Sequence, residues 1–365
     1  MSGIQNRWTI TDVVCMGIAI AGIVLGEIAV LLDLGNRLFG SYTRTPIGAL
    51  TRISLIILIC IALGSPACFL FFHPESTGVQ LWVYAFGLLG ALVFVNFLLP
   101  IRFGVARSDG LNSDASTREL TKGVILREQL VELSRFTSHC VSLRILVISD
   151  LHCNNANKLK VIQNSHAELS DKEPDLVFVL GDFGENTLIL PEVFAILGQL
   201  TSRFGTYCVR GNHDCEQGRD VLVQELAAAN GITLLSNETK YLEEIDTLLV
   251  GLERPWVKTA LPKITDASLV IALTHTPDNI ALLDSLGVGV GFCGHTHGGK
   301  IRLPLIGPVL VPVWRGRFLA SGWFSFGTCL MYITPGFGYF PGVFGNTGEV
   351  FRVSLTGSAM PSILE

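Results

Sequence analysis

Apolar and polar positions divide this chain into two regimes. Three nearly unbroken apolar runs lie in the first hundred residues, at 13–32, 53–72 and 79–99. Each has about the 20 residues that a helix needs to cross a bilayer. The second and third carry no charge, and the first carries only Glu27, which a spanning helix would turn toward its neighbours. Three such runs fit buried core helices poorly, and a cleaved leader does not account for the two that follow. Residues 1–100 are therefore expected to form a three-helix membrane anchor.

The pattern changes after residue 100. Residues 101–142 open polar, as a linker, and continue into 117–136, where Leu126, Leu130 and Leu133 fall at i, i+4 and i+7. Leu120, Val124 and Val131 add a second row. This spacing predicts an amphipathic helix, either on the membrane surface or packed on the domain that follows. From residue 143, short apolar runs (143–152, 175–182, 207–214, 269–278, 288–299) alternate with helix-like segments at 156–170, 190–203 and 219–230. That alternation predicts a layered α/β domain over 143–355, with a tail at 356–365.

Composition agrees with the division. The chain is 49% hydrophobic and 16% charged, with mean hydropathy +0.49, whereas a soluble domain carries about a quarter charged residues. The first 100 residues hold only 8 charges and no lysine, so the apolar excess belongs mainly to the anchor. A simple soluble enzyme, a transporter filling the whole chain and a disordered protein are all excluded. The net charge of −5 and the lack of a basic tract argue against a nucleic-acid partner. Nine cysteines without a CxxC pair fit a reducing compartment. Arg37, Arg44 and Arg52 fall in the first loop, Arg102 and Arg107 follow the third run, and 73–78 has no Lys or Arg. This bias predicts an integral membrane protein with its globular domain in the cytoplasm and its N-terminus outside. The sequon Asn237-Glu238-Thr239 would matter only in the inverted topology.

The chemistry sits at the ends of the strand-like runs. They finish in Asp150 and His152, in Asp182, in Asn212, His213 and Asp214, in His275, and in His295 and His297. Ligands of layered α/β domains collect at the carboxyl ends of strands. Residues two apart in an extended segment leave the same face, so Asp150 and His152 can share an ion, as can His295 and His297. Imidazole with carboxylate and carboxamide oxygen suits Mn, Zn, Fe or Co. Five of the eight histidines lie at these tips, a concentration that isolated core or surface histidines do not produce.

The ordered set Asp150-Leu151-His152, Gly181-Asp182, Gly211-Asn212-His213-Asp214, His275 and Gly294-His295-Thr296-His297 resembles the calcineurin-like metallophosphoesterase superfamily. The later GHTHGGK, Pro304-Leu305-Ile306-Gly307 and ITPGFG stretches resemble its membrane-associated YkuE/YaeI-type branch, which includes a UDP-2,3-diacylglucosamine pyrophosphohydrolase. The resemblance implies a four-layer α-β-β-α sandwich and two divalent metal ions, with Mn expected first. It places Asp150, His152 and His297 on one ion and Asn212, His275 and His295 on the other, with Asp182 bridging. A hydroxide between the ions would attack phosphorus in line. His213 would stabilise the transition state or protonate the leaving oxygen. Asp214 would orient His213 or merely occupy a turn. Cys153, Cys215 and Cys293 adjoin the motifs, but with the histidines assigned to metal they are expected to be packing residues.

Beyond the last motif, Lys300, Arg302, Arg315 and Arg317 punctuate an apolar, proline-rich stretch. It is either a loop whose cations meet phosphate and whose apolar residues meet acyl chains or the bilayer, or an ordinary edge strand and turn. The expected activity is hydrolysis of a phosphodiester or pyrophosphate, with a lipid-linked substrate such as UDP-2,3-diacylglucosamine. The alternatives are a soluble or protein phosphate ester, with the helices only an anchor, and a non-catalytic membrane scaffold. The oligomeric state is not legible.

Overall fold

The computed structural model describes residues 10–40, 77–98, 105–108, 111, 115–121, 123–133, 142–169, 174–303, 307–314, 317–337 and 347–357. The chain divides into two units: residues 1–101 with 316–318, and residues 102–315 with 319–365.

In the first unit, α1 (Ile10–Gly40) and α2 (Thr77–Leu98) are helices. Met16, Ala19 and Ile23 of α1 cluster with Val83 of α2. Glycine lines the rest of the seam. A Cβ on Gly87 would strike the backbone of Ala19, one on Gly22 would strike Gly87, and one on Gly26 would strike Gly90. Contacts thus advance along both helices together, and α1 and α2 run parallel. Small residues that let backbones approach are the usual device of helix pairs in lipid, where apolar burial gives little driving force.

Of the three expected spans, Val13–Leu31 within α1 is long and apolar enough to cross a membrane. It is the one such helix among the described residues. The third expected span is helical in α2, with a shorter apolar run at Gln80–Leu92. The second, 53–72, lies outside the described residues.

The second unit starts with β1 (Val105–Arg107), β2 (Ala115–Thr121), β3 (Val124–Leu133) and β4 (Leu143–Ile148). Then come α3 (Ala156–Leu169), β5 (Leu176–Val179), α4 (Leu190–Leu197), β6 (Thr206–Cys208), α5 (Arg219–Ala229), β7 (Ile232–Leu234), β8 (Thr239–Leu242) and β9 (Thr247–Leu252). They are followed by β10 (Leu269–Thr274), α6 (Ile280–Ser285), β11 (Val290–Cys293), the hairpin β12 (Ile301–Leu303) and β13 (Gly307–Leu310), β14 (Gly322–Phe326), β15 (Cys329–Ile333) and β16 (Gly348–Gly357). One sheet has the order β1-β14-β15-β11-β10-β9-β8 and the other β2-β3-β16-β4-β5-β6-β7. Both are mixed. Strands β4, β5, β6 and β7 run parallel to one another, as do β9, β10, β11 and β15.

Phe178, Phe292, Trp323, Tyr332 and Phe351 fill one apolar core, with Ile145, Ile271 and Val353. These residues come from both sheets, and their neighbours along the strands alternate away from them. Leu146, Ile148, Val177 and Val179 instead meet Leu159 and Ile162 of α3, Val193 and Phe194 of α4, and Val223 and Ala227 of α5. Against the first sheet the described helix is the single short α6, which contacts β14 and β15. The α/β domain is as expected, and the three helix-like segments form α3, α4 and α5. The fourth layer is thin.

The expected linker and amphipathic helix at 101–142 are corrected. β1 pairs with β14, and residues 115–121 and 124–133 form β2 and β3, with β3 parallel to β16. The misleading signal has a physical cause. Val124 and Leu126 of β3 join the core beneath the helices, whereas Val131 and Leu133 join the other core. Burial therefore changes face partway along the strand, which hides the period of two and imitates a helical one. Leu130, expected on the apolar face of a helix, is 59% exposed. The expected boundary at residue 355 also moves, because β16 continues to Gly357; residues 358–365 lie outside the described set.

Candidate metal centre

Parallel β4, β5 and β6 in one sheet, and β10 and β11 in the other, carry the expected metal-binding residues just beyond their carboxyl ends. Asp150 and His152 follow β4, Asp182 follows β5, Asn212 follows β6, His275 follows β10, and His295 and His297 follow β11. All seven are buried. Five of them, Asp150, His152, Asp182, His295 and His297, have positive φ between 42° and 69°. Such residues cost about 1–3 kcal/mol each and persist where surrounding structure imposes them, commonly at functional sites. Gly294 permits the close approach: a Cβ there would collide with Ser149 and with the carboxylate of Asp150.

The expected metal-binding residues form two groups of ligand atoms, Asp150, His152 and His297 in one and Asp182, His275 and His295 in the other, with the atoms of each within 4.8 Å of one another. His152 also groups with Glu185 and His213 within the same distance. Asp182 joins them: its Oδ2 is 3.5 Å from His152 Nε2 and 3.2 Å from His275 Nε2. Asp150 Oδ1 lies 4.0, 3.9 and 3.8 Å from Nε2 of His152, His275 and His297. Asn212 stands between Gly211 and His213, whose N–H donates to Asp182 Oδ1 at 3.0 Å. The Asn212 Oδ1 is buried with no hydrogen-bond partner among the described residues.

These residues fit a cation. His275 Nδ1 lies 2.6 Å from Leu180 O, an acceptor only, so that nitrogen carries the hydrogen. Nε2 then faces Asp182 Oδ2 at 3.2 Å, a contact that needs a proton on Nε2 or a metal cation in that proton's place. Burial opposes charge on His275, yet Asp182 and Asp150 outweigh it and carry its pKa up to about 10. Burial, helped by neighbouring positive charge, holds His295 and His297 well below the usual histidine value, as neutral donors. Four imidazoles, which a metal would bind in their deprotonated form, with two buried carboxylates and an unsatisfied carboxamide oxygen make a borderline-hard donor set suited to Mn, Zn, Fe or Co.

His213 is half-buried and sits edge-on to His152, with ring centroids 5.1 Å apart. Its expected partner Asp214 is elsewhere, which is a correction. Asp214 is fully buried, and its carboxylate accepts backbone N–H groups from Asp182 (2.6 Å), Gly211 (2.8 Å) and Phe183 (3.1 Å). It is neither an orienting group for His213 nor a solvent-facing turn residue, and it holds together the two loops that carry Asp182 and Asn212. Its short side chain is spent on main chain 31 and 32 residues away, which the adjacency of the motif conceals.

The carboxylate that does meet His213 is Glu185, absent from the expected set. Glu185 Oε1 lies 3.3 Å from His213 Nδ1 and 3.0 Å from His152 Nδ1. Burial would raise its pKa, but the His152 bond and charge bring it down to about 2. Asn154 binds its other oxygen and its backbone N–H. The available signal was a carboxylate three residues after Asp182, with an asparagine two after His152.

Of the four expected substrate cations, Lys300 is half-buried and near enough to His295 and His297 for its charge to lower both. Arg302 NH1 donates to Gly298 O at 2.9 Å. Arg315 lies outside the described residues, and Arg317 groups with the first unit. Cys153 packs in the core beneath the helices and Cys293 is buried, whereas Cys215 is half-buried; burial raises the Cys153 thiol to about 11 and Cys215 to about 12, and it holds Cys293 well above its ordinary value.

Known proteins resemble this chain in sequence. The calcineurin-like phosphoesterase model matches residues 143–299. The phosphodiesterase YaeI of Escherichia coli is 30% identical over 214 residues, covering 56% of this chain and 79% of that protein. The uncharacterized metallophosphoesterase YkuE of Bacillus subtilis is 27% identical over 208 residues, 53% of this chain and 72% of the relative. A transmembrane protein with metallophosphoesterase domain from Danio rerio is 24% identical over 338 residues, covering 79% and 76%.

Proposed function

Because the chain belongs to the calcineurin-like metallophosphoesterase family and is a metal-dependent phosphoesterase, we propose that it is a membrane-anchored hydrolase of a phosphodiester or pyrophosphate whose substrate is lipid-linked, such as UDP-2,3-diacylglucosamine. The observation that carries the reading is the convergence of six buried ligands in two groups joined at Asp182, with the buried, unsatisfied Asn212 oxygen on the loop after β6. Asp150, His152 and His297 hold one divalent ion, and Asn212, His275 and His295 hold the other, with Mn the expected metal. When bound, such a pair activates water and neutralises charge on the phosphoryl oxygens. His213, with Glu185 Oε1 3.3 Å from its Nδ1, serves with its other ring nitrogen, binding a phosphoryl oxygen or passing a proton to the departing one. Lys300 and Arg302 draw the anionic substrate toward the site. Asp214 keeps the Asp182 and Asn212 loops in register.

Two observations support the membrane anchor. The alignment with the Danio rerio transmembrane relative is longer than everything from residue 143 onward, so it reaches into the N-terminal segment. Helices α1 and α2 run parallel. If both cross the bilayer, the chain between them must cross back, which favours three spans, at 13–32, 53–72 and 79–99. With the positive-inside bias, that topology puts the hydrolase domain in the cytoplasm and the N-terminus outside.

The test uses the full chain in detergent with Mn²⁺, offered UDP-2,3-diacylglucosamine, bis(4-nitrophenyl) phosphate and 4-nitrophenyl phosphate. Turnover of the first two above the monoester is expected. Preference for the monoester would favour a soluble or protein phosphate ester. No turnover together with no bound metal would make the protein a scaffold.

A further inference from the structure

Trp256 stands beside the second ligand group, its ring centroid 5.4 Å from His275 and 5.7 Å from His295, at interplanar angles of 66° and 69°. It is half-buried and belongs to neither apolar core. The turn that carries it is braced by buried polar side chains. Glu253 is fully buried and pairs with Arg210 at 2.7 Å, and its backbone N–H donates to Asn237 Oδ1 at 2.9 Å. Asn237 Nδ2 in turn donates to Val257 O at 3.2 Å, and Asn279 Nδ2 donates to Arg254 O at 2.8 Å. The N–H groups of Trp256 and Val257 both close on Glu253 O at 3.1 Å. An indole that merely filled space would not need such support. Here a large flat ring is fixed next to the candidate ions and left partly open.

We propose that Trp256 is the wall on which the organic arm of the substrate packs, and that this arm carries a flat ring, a nucleobase or an aryl group. The inference rests on the phosphohydrolase reading above and specifies its substrate class. The ions and Lys300 recognise phosphate whatever is attached to it. Discrimination falls to a neighbouring surface, and an aromatic face rewards a stacked ring far more than a short alkyl group.

The experiment measures calorimetric dissociation constants for phenylphosphonate, uridine 5′-monophosphate and ethylphosphonate on the full chain loaded with Mn²⁺ in detergent. Wild type is compared with Trp256→Leu, which keeps bulk against the two histidines, and with Trp256→Phe, which keeps a ring. Metal content is measured for each. Ring-bearing ligands should weaken about tenfold in Trp256→Leu, with ethylphosphonate unchanged and Trp256→Phe near wild type. A shift for uridine monophosphate alone identifies a nucleobase, and one for phenylphosphonate alone an aryl group. Equal weakening of all three ligands, or of none, overturns the proposal and leaves the phosphohydrolase reading standing. A metal-loaded wild type that binds none of them and hydrolyses no phosphodiester overturns both.

Discussion

The two ligand groups share Asp182 but are held in different ways. In the second, His275 is fully buried and its Nδ1 is fixed by a backbone carbonyl, Leu180 O. In the first, His152 is fixed by a side chain, Glu185, which is 29% exposed and also serves His213. Main chain locks one group, and an accessible carboxylate tunes the other. The difference predicts an unequal pair: a deep, permanent second ion and a first ion whose affinity follows Glu185 and is coupled to the acid–base residue.

Removing what the groups share has the largest effect. Asp182→Asn should lower turnover of a phosphodiester about a thousandfold, equivalent to about 4 kcal/mol of transition-state stabilisation. A loss below tenfold would show that the groups work separately. The brace of the second group comes next. Arg210, two residues before Asn212, pairs in the interior with Glu253 at the end of β9. Cutting a buried pair by removing one partner costs about 3–5 kcal/mol. Glu253→Ala should therefore lower the melting temperature sharply, whereas no change would mean that the second group needs no such brace.

A smaller effect separates the groups most cleanly. Outer carboxylates that orient metal-binding histidines are worth about 10–100-fold in affinity. Glu185→Gln should weaken one of the two ions by that factor in a chelator titration and leave the other unchanged; equal weakening would break the comparison. The smallest prediction lies behind the first group. Glu349 is buried, bonded by Tyr332 and Thr334, and its N–H donates to Gly336 O, next to Asp150. Burial raises its carboxyl above the ordinary 4.5, the effect only partly offset by the two hydroxyls. A raised folded value means stability fully present below about 4.5 and lost as pH rises from there through the higher folded value. Glu349→Gln keeps a carbonyl acceptor and should flatten the fall of melting temperature with pH. An unchanged slope would remove Glu349 from that role.

What was legible in the sequence follows from range. The ligand tips are local: each is a short polar stop on an apolar strand, so Asp150, His152, Asp182 and the histidines could be read from neighbouring residues. Residues 115–133 depend on β16, whose partner positions lie more than 200 residues away, and their burial changes face midway. No local period records that. Glu185, Asp214 and Trp256 were missed or misassigned for a related reason. Each acts on residues from another loop, and their types carry no signal until the fold brings those loops together. The apolar N-terminal helix was legible as hydropathy, but its glycine seam with α2 needed the helix pairing.

A two-ion site fixes the metal count per chain. Elemental analysis of the purified full chain, saturated with Mn²⁺ and freed of excess, should give two ions for wild type and one for either His297→Ala or His275→Ala. One ion or none in wild type, or two retained in both variants, would contradict it.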